Sequence, residues 1–395
     1  MQPRYNIDPR QQAVRDRVAE FAEKYIKPIS KDLDHRDDPD RFATELYKQL
    51  GKEGFIGFNT PKELGGGGRS NIEYITLIEE LCYWDPSACL LNAVGELATY
   101  PIVHFANDAQ KKKYVPRCVS GEIIPSFCLT EPAAGSDAAN QSTTAVLDGD
   151  EYVINGEKIF IMHGDVADLY VLFLRIVDNN TDNEAKASRK VSAIIVEARQ
   201  NGKLINGIKA ETLKKKMGMR AATTGRIWFD NVRVPKENLL GEQGKGFRYA
   251  MNTLDSARIG VAAQGLGIAQ RALDESIDYA KKRVCFGTPI AKFQATQWKI
   301  ADMSTQIEAA RLMTYKSALM KDAGVKYSLE AAQAKLFSTE VSNFCVNHAM
   351  QIHGGYGYIG EFSPIEKLYR DQRVIEIYEG TSEVQRLVIA GTLLR

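Results

Sequence analysis

The sequence predicts an α+β protein in which helices and strands are segregated along the chain. Three observations support this fold class: apolar residues recur at helical spacing over the first ~120 residues, short apolar runs separated by turn residues follow, and long helical patterns return after about residue 241. We therefore expect an N-terminal helical domain at 1–122, a middle antiparallel β-domain at 123–235 and a C-terminal helical domain at 236–395. A doubly wound α/β fold is disfavoured, because it needs strands and helices in alternation.

The N-terminal domain opens on a helix-start signal. Asp8 is a good N-cap residue, and Pro9 suits the first helical turn, where its missing N–H does no harm. Val14, Val18 and Phe21 then fall on one helical face. After the glycine-rich loop at 65–68, a further helix is expected to start after Ser70 and to run through residues 72–81.

Turn signals at short intervals predict the β-domain. Asp148-Gly149 and Asn155-Gly156 tolerate the positive φ of tight hairpin turns, and apolar runs flank both pairs. We expect a turn at each of them. The predicted strands are 143–147, 152–154, 158–162, 170–176, 191–196 and 226–229, with a polar loop at 177–190.

Composition excludes several classes of function. The 395 residues carry 51 Lys and Arg against 50 Asp and Glu, so no net charge favours binding to nucleic acid or to an anionic membrane. No run reaches the ~18 apolar residues of a membrane span, and no secretory signal is recognisable. The six cysteines are widely spaced, which predicts buried thiols rather than disulfides or a zinc site. The expected location is the cytoplasm, or the mitochondrial matrix if a transit peptide has been removed.

Common catalytic motifs are missing. The sequence has no P-loop, no GxGxxG in a βαβ unit, no HExxH and no GxSxG. The five histidines are scattered, so no metal site is predicted. Neither hydrolase chemistry nor metal chemistry is therefore supported.

Two segments have the composition of cofactor-binding loops. Residues 127–137 pass from an apolar strand into a turn of small and hydroxyl residues, which can approach a planar cofactor closely, although a plain turn explains this segment alone more simply. In residues 283–294, Arg283 precedes a Gly-Pro break and could clamp a phosphate. A solvated arginine beside a helix stop is an equally good interpretation of the second segment.

Two further segments lie near the C-terminus. Residues 351–358 hold three glycines in four positions, which lets backbone N–H groups face an anion or a flat ring, whereas a helix C-cap needs only one glycine. In residues 377–386, Glu379 lies beside an apolar flank and Gly380, and Thr381 has the position of an N-cap. In an apolar cavity the pKa of Glu379 would rise toward that of a general base, and a solvated loop carboxylate is the alternative.

Together the four segments resemble the acyl-CoA dehydrogenase family over essentially the whole chain, with the short-chain, butyryl-CoA dehydrogenase-like branch closest. The motifs that carry the resemblance are FCLTEPAAGSDAA, RVCFGTPIAKFQ, QIHGGYGY and IYEGTSEVQR, in this order. The resemblance implies a middle antiparallel β-barrel, a C-terminal four-helix bundle and FAD bound between them. It also implies a homotetramer and an electron-transfer flavoprotein as the electron acceptor.

The matched motifs give expected roles to individual residues. Glu379 matches the family's catalytic base, and Ala257 occupies the position from which some members supply that base instead. Expected substrate contacts are Ser136, Asp255, Arg258 and Gly380. Expected FAD contacts are Phe127, Leu129, Thr130, Ser136, Phe160, Met162, Thr381 and Glu383, and, across a subunit boundary, Arg283, Phe286, Gln294, Gln351 and Gly355.

One departure from the family pattern falls at Met162. The family commonly has Thr or Ser at this position, and that hydroxyl meets flavin N5. A thioether cannot donate a hydrogen bond, so Met162 is expected either to pack against the flavin ring or to turn away and leave N5 to a backbone N–H or water. His163 is the neighbouring candidate donor, although a structural role is favoured for it.

The resemblance implies conversion of an acyl-CoA thioester into the trans-2-enoyl-CoA. Glu379 would remove the α-proton while flavin N5 accepts a hydride from the β-carbon. The alternatives are an acyl-CoA oxidase, an enoyl-CoA reductase working in the reverse direction, and a non-enzymatic, flavin-free scaffold. A glutaryl-type substrate is disfavoured, because Cys89 stands where those members carry an arginine for the distal carboxylate. Chain length and branching stay open.

Overall fold

The structure is a computed structural model that describes residue 6 and residues 8–35, 43–177 and 190–394. Most of the polar loop expected at 177–190 lies outside these residues. The predicted order of a helical part, a β part and a second helical part is confirmed.

Within the described residues, six α-helices form the N-terminal part. The Asp8 carboxylate accepts the backbone N–H of Arg10 at 2.8 Å, so it caps the first turn as expected. Ser70 and Glu73 form a capping box that fixes the predicted start of the next long helix. The helices are α1 (Arg10–Phe21, continued by a π-helical turn at Ala22–Ile26), α2 (Ser30–His35), α3 (Thr44–Lys52), α4 (Asn71–Trp84), α5 (Pro86–Phe105) and α6 (Asp108–Val119).

The middle part is a curled seven-stranded sheet with strand order β1-β4-β2-β3-β9-β8, in which β5 also pairs with β4. Its pairing is mixed rather than wholly antiparallel, because β1 and β2 each run parallel to β4. The strands are β1 (Pro125–Cys128), β2 (Thr144–Asp148), β3 (Glu151–Met162), β4 (Leu169–Ile176), β5 (Val191–Glu197), β8 (Ile208–Thr212) and β9 (Thr224–Pro235), and β6 (Arg199–Gln200) pairs only with β7 (Lys203–Leu204).

Only one of the two predicted turns exists. Asp148-Gly149 joins β2 to β3, and Gly149 has the expected positive φ of 63°. The turn expected at Asn155-Gly156 is wrong, because β3 runs straight through it and its register with β9 shifts between Ile154 and Gly156. A Cβ at position 156 would lie 2.5 Å from the Thr143 hydroxyl oxygen, so this glycine permits a bulge and a close approach.

The C-terminal part is a bundle in which α9 packs against α7, α8 and α12. A short hairpin between α7 and α8 carries Phe286 at its tip. Since α7 also packs against α4 and α5, the two helical parts share one apolar core. The elements are α7 (Gly246–Lys282), β10 (Val284–Cys285), β11 (Thr288–Pro289), α8 (Gln294–Asp322), α9 (Ser328–His353), α10 (Gly355–Tyr358), α11 (Ile365–Gln372) and α12 (Ser382–Leu393).

A buried ion network ties α4 to its neighbours. The Glu79 carboxylate on α4 lies 3.2 Å from Nη2 of Arg15 on α1 and 3.1 Å from Nη2 of Arg311 on α8. The hydroxyl of Tyr315 donates to the same carboxylate at 3.0 Å. Removing one partner would leave a buried charge uncompensated, which typically costs ~3–5 kcal/mol. The network therefore fixes the position of α4.

Candidate active site

A cavity lies between α4, α5, α7 and the loop that precedes α12, and its empty space together with the adjoining open solvent is about 610 Å³. Much of its wall is apolar, including Leu90, Val94 and Val261, and the β-domain contributes Met162. Two carboxylic side chains, Glu96 and Glu379, also line it. The cavity thus brings the predicted base and one predicted cofactor residue together.

Glu379 has the electrostatics expected of a base. Burial raises the pKa of its carboxyl to about 7, although the positive charges of Arg258 and Lys335 oppose the shift. Its Oε2 atom is buried and has no hydrogen-bond partner among the described residues. A carboxylate in this setting gains basicity because little stabilises its charge.

The loop that carries Glu379 is held by its backbone. The carbonyl oxygen of Gly380 accepts hydrogen bonds from Lys335 Nζ and from Gln385 Nε2, each at 2.8 Å. Glu379 and Gly380 both have positive φ, at 55° and 91°. A left-handed conformation is unfavourable for a glutamate, so these hydrogen bonds stabilise a strained turn that directs the carboxylate into the cavity. Thr381 caps α12, as predicted, by accepting the N–H of Val384 at 3.3 Å.

A second carboxyl group, Glu96, was not predicted. It is half-buried on α5, and burial raises its pKa to about 7. Its Oε2 atom is buried without a hydrogen-bond partner among the described residues. The sequence signal was a lone acid on a predominantly apolar 20-residue helix.

All four predicted substrate contacts, Ser136, Asp255, Arg258 and Gly380, lie outside the residues that line the cavity. Arg258 is only 4% exposed, and its Nη1 donates to Asp255 Oδ1 at 2.5 Å. The other carboxylate oxygen of Asp255 accepts the Ser328 hydroxyl at 2.7 Å. Ser136 is exposed on the turn after β1. Arg258 therefore acts on Glu379 through its charge, whereas the contacts predicted for Ser136 and Asp255 stay predictions.

The segment that follows β1 is joined to β3 by a buried ion pair. Lys158 is 0% exposed, and its Nζ lies 2.7 Å from Glu131 Oε1 and donates to the Leu129 carbonyl at 3.0 Å. Burial alone would raise the pKa of Glu131, but the Lys158 charge and hydrogen bonds outweigh it and lower that pKa to about 2. The N–H of Ile159 adds a bond to the Thr130 carbonyl at 3.0 Å. The backbone at 129–131 is thereby fixed.

The end of β3 presents an aromatic ring to solvent and a thioether to the cavity. Phe160 is 65% exposed and has a φ of 58°. Met162 receives a hydrogen bond on Sδ from the Thr224 hydroxyl at 3.1 Å, and its carbonyl accepts the Ser126 hydroxyl at 2.6 Å. His163 is fully buried against the Tyr47 ring, and burial lowers its pKa to about 3. This burial agrees with the favoured structural role of His163.

The residues predicted to face a partner subunit are all exposed. They lie on the α7–α8 hairpin, at the start of α8 and around the end of α9. Phe286 is 99% exposed at a φ of 52°, and the guanidinium of Arg283 lies 5.4 Å above the ring of Tyr356. The exposed set is Arg283, Phe286, Gln294, Gln351 and Gly355.

The other predicted cofactor residues differ in exposure. Leu129 is buried, Phe127 and Thr130 are half-buried, and Glu383 is exposed next to the Thr381 cap. Within the described ranges, no group of three or more His, Cys, Asp or Glu side chains is placed to hold a metal ion. Among the residues that the structure describes, no helix is both long and apolar enough to cross a membrane.

The chain matches three sequence profiles of one family. They are the N-terminal domain of acyl-CoA dehydrogenase at residues 8–122, the middle domain at 126–232 and the C-terminal domain at 244–394.

Similar proteins include dehydrogenases and a reductase. The chain is 42% identical to a short-chain specific acyl-CoA dehydrogenase of Clostridium acetobutylicum, over 99% of this chain and 100% of that protein. It is 44% identical to a 3-(aryl)acrylate reductase of Clostridium sporogenes, over 97% and 98% of the two chains. The solved butyryl-CoA dehydrogenase of Megasphaera elsdenii superposes with a TM-score of 0.91 at 38% identity and covers 100% of both chains.

The profiles span nearly the whole chain, the fold superposes over its full length, and the cavity holds a carboxyl group whose pKa is raised by burial. The chain belongs to the acyl-CoA dehydrogenase family and is an FAD-dependent oxidoreductase of acyl-CoA thioesters.

Proposed function

We propose that Glu379 is the catalytic base that removes the α-proton of a bound acyl-CoA, which is thereby converted into the trans-2-enoyl-CoA. The observation that carries this proposal is the position of Glu379 in the cavity, with a pKa raised to about 7 by burial and one carboxylate oxygen without a partner among the described residues. A base with a pKa near neutrality is about half ionised at neutral pH, so it can both accept the α-proton and return it.

The surface beside the cavity fits a flat, partly apolar cofactor such as FAD. Phe160 exposes its ring next to the fixed backbone of Thr130, and Met162 links that surface to the cavity. We assign the flavin contacts to Leu129, Thr130, Phe160 and Met162. Bound FAD would supply the hydride acceptor for the β-carbon.

Different residues exclude water from the acyl chain, position the base and transfer the proton. The apolar wall excludes water from the acyl chain, and the hydrogen bonds of Lys335 and Gln385 to the 379–380 backbone hold the carboxylate in place. Glu379 takes the α-proton, so the Cα–H electron pair becomes available to form the double bond as the β-hydride departs. In the reverse direction, protonated Glu379 returns that proton to the α-carbon.

Reduction of an enoyl-CoA is the second candidate direction. The Clostridium sporogenes relative is named as a reductase, whereas the Megasphaera and C. acetobutylicum proteins are named as dehydrogenases. Both directions use the same carboxyl group in opposite protonation states. The redox partner of the flavin therefore decides the direction of the reaction. We propose that this partner is an electron-transfer flavoprotein.

The exposed residues that are predicted to contact FAD bear on the quaternary structure. Because Arg283, Phe286 and Gln351 lie on the surface, we propose that they contact FAD held mainly by another subunit, within a homotetramer in the cytoplasm. The exposed Phe286 ring supports this proposal, because both of its faces are available to stack on a cofactor or on another subunit. Ser136, Asp255, Gln294, Gly355, Thr381 and Glu383 keep their proposed contacts with CoA or FAD.

An anaerobic screen tests the function. The purified holoenzyme is mixed with a series of acyl-CoA thioesters, and the loss of flavin absorbance is followed. Bleaching by at least one saturated acyl-CoA, with formation of the enoyl product, is expected. If no thioester bleaches the flavin while reduced enzyme converts enoyl-CoA, the protein is a reductase. A flavin that responds to neither class of thioester would refute the proposal.

A further inference from the structure

One polar corner of the cavity has no part in the proposed reaction. It is formed by Asn59, Glu96, Tyr100 and Ser256, which all line the cavity. Lys321 on α8 connects three of them, because its Nζ donates to the Ser256 hydroxyl at 2.6 Å and lies 5.3 Å from the centre of the Tyr100 ring. The positive charge of Lys321 also acts on Glu96. We call the four lining residues the polar corner.

Glu96 has unused hydrogen-bonding capacity in the polar corner. The backbone N–H of Gly57 donates to its carboxyl group, which ties α5 to the loop that carries Asn59. The Oε2 atom of Glu96, however, is buried and has no hydrogen-bond partner among the described residues. Because an unpaired buried acceptor is costly, this oxygen favours a ligand that brings a hydrogen-bond donor.

Asn59 supplies a second unpaired acceptor. The side-chain amide nitrogen of Asn71 donates to Asp322 at 2.7 Å, so the Asn71 oxygen is left to accept Asn59 Nδ2 at 3.2 Å. This hydrogen bond orients the Asn59 amide, whose Oδ1 atom is buried without a partner in the described part of the chain. Two unpaired acceptors, one from a loop and one from α5, therefore line the same cavity.

The charges around the polar corner select the kind of donor. Glu96 repels a carboxylate and Lys321 repels an ammonium group, so a neutral donor is favoured. Burial raises the pKa of Glu96 to about 7, so its carboxyl group exists in both protonation states near neutral pH. A hydroxyl group suits both states, because it can donate to the carboxylate and can accept from the carboxylic acid.

The part of the ligand that reaches the polar corner is the acyl group. Ser136 and Asp255, which are proposed to contact the CoA portion, lie outside the residues that line the cavity. The cavity is therefore left to the acyl group, whose hydrocarbon part fits the apolar wall at Leu90, Val94 and Val261.

The polar corner is distinct from the site of proton removal. The positive charges that act on Glu379 are those of Arg258 and Lys335. The positive charge that acts on Glu96 is that of Lys321. The two carboxyl groups thus have separate electrostatic surroundings within one cavity. A hydroxyl group held by Glu96 is therefore carried by a part of the acyl group other than the carbons that react.

We propose that Glu96 and Asn59 form a specificity subsite for an alcoholic or phenolic hydroxyl group on the acyl chain of the substrate. The proposal rests on the function proposed above, since it names the substrate class of the same cavity. The carboxylate of Glu96 and the amide oxygen of Asn59 accept the hydroxyl proton, and Lys321 balances the charge of the corner. A thioester with a plain hydrocarbon tail leaves both acceptors unpaired and binds less tightly.

Matched pairs of substrates test the proposal in the holoenzyme. The kcat/KM is measured for butyryl-, hexanoyl- and 3-phenylpropanoyl-CoA, each beside the analogue that carries a hydroxyl group at the far end of its chain or ring. For at least one pair, the wild type should favour the hydroxylated member at least about tenfold, because a buried hydrogen bond to a charged acceptor discriminates by about that factor or more.

Substitutions in the polar corner should remove this preference. Glu96→Leu takes away the charged acceptor and should bring the ratio of kcat/KM within each pair to about one. Asn59→Ala removes the neutral acceptor and should lower the ratio about threefold. Glu96→Gln is the matched control, because its amide keeps an acceptor oxygen at the same place, and it should retain a preference of several fold.

Two results would overturn the proposal. Equal kcat/KM within every pair for the wild type would mean that water fills the polar corner. An equal loss for plain and hydroxylated thioesters in Glu96→Leu would assign the corner to the CoA portion or to the fold. If Glu96→Leu does not fold, because Lys321 loses its opposite charge, Asn59→Ala decides the question.

Binding measurements separate this inference from the proposed function. Calorimetric titration of the Glu379→Gln holoenzyme with the same thioesters gives dissociation constants without turnover. A lower Kd for a hydroxylated member, abolished when Glu96→Leu is added, supports the subsite even if the wild type turns over none of the thioesters, a failure that would refute only the function. Equal Kd values within every pair overturn the inference even if Glu379 proves to be the base.

Discussion

The cavity around Glu379 is formed by one chain, whereas the surface around Arg283 is expected to need a second subunit to complete its cofactor site. The cavity is lined mainly by α4, α5 and α7 of the same chain, and the half-buried Glu379 faces it. The second surface exposes Arg283, Gln351 and Phe286, and the Phe286 side chain is 99% exposed. We therefore expect one subunit to supply the proton chemistry and cofactor retention to depend on assembly.

The sharpest test of this contrast removes the base. Glu379→Gln should retain FAD and lose turnover by about 10²–10⁴-fold or more, because the amide cannot accept the α-proton. Substrate-dependent flavin reduction is the measurement. Glu96→Gln is the matched control, since Glu96 is a second cavity carboxyl with a similarly raised pKa, and it should lose less than about tenfold. Near wild-type flavin reduction in Glu379→Gln would end the assignment.

The pH profile extends the same test to the wild type. Dehydrogenation needs ionised Glu379, so its kcat/KM should rise about tenfold per pH unit up to about pH 7 and then level off. Enoyl reduction needs the protonated form, so its kcat/KM should fall above about pH 7. Glu96→Gln should leave both inflections in place. An inflection near the ordinary glutamate pKa would contradict the buried state of the base.

The exposed surface is tested through cofactor retention. Arg283→Ala should release FAD about 10–100-fold more readily on dilution, because a charge-assisted hydrogen bond to phosphate contributes ~1.5–3 kcal/mol. Fluorescence of released flavin and sedimentation at matched concentrations measure this. The neighbouring exposed Lys282→Ala is the control. A demonstrated monomer that holds FAD equally well at every concentration would remove the basis for a shared site.

The smallest expected effect concerns Met162, which lines the cavity beside the proposed flavin surface. Met162→Thr introduces a hydroxyl beside the flavin, and one hydrogen bond of ~1 kcal/mol to a single redox state should shift the two-electron midpoint potential by ~20 mV. Thr224→Val removes the hydroxyl that donates to Met162 Sδ and adds no donor at position 162, so it separates thioether orientation from hydrogen bonding. If neither the flavin midpoint potential nor the acyl-CoA preference changes in either variant, Met162 has no part in tuning the flavin.

Local signals predicted more of this protein than long-range ones. Ser70 and Thr381 were found as caps because capping depends on residues three positions apart. Glu379 was found because its motif is contiguous. Tyr74 and Gln264 were missed because they occupy apolar helices whose periodicity predicts only burial, and their shared cavity forms when α4 and α7 meet. The turn predicted at Asn155-Gly156 was wrong because a bulge and a turn both favour glycine.

The left-handed backbone at Glu379 has a consequence for protein engineering. Glycine or asparagine adopts φ near 55° more readily than glutamate, and burial penalises the carboxylate as well. A search for heat-resistant variants without a check on catalysis would therefore favour replacement of this residue and enrich inert proteins. Its retention marks a site where activity and thermal robustness are in direct competition.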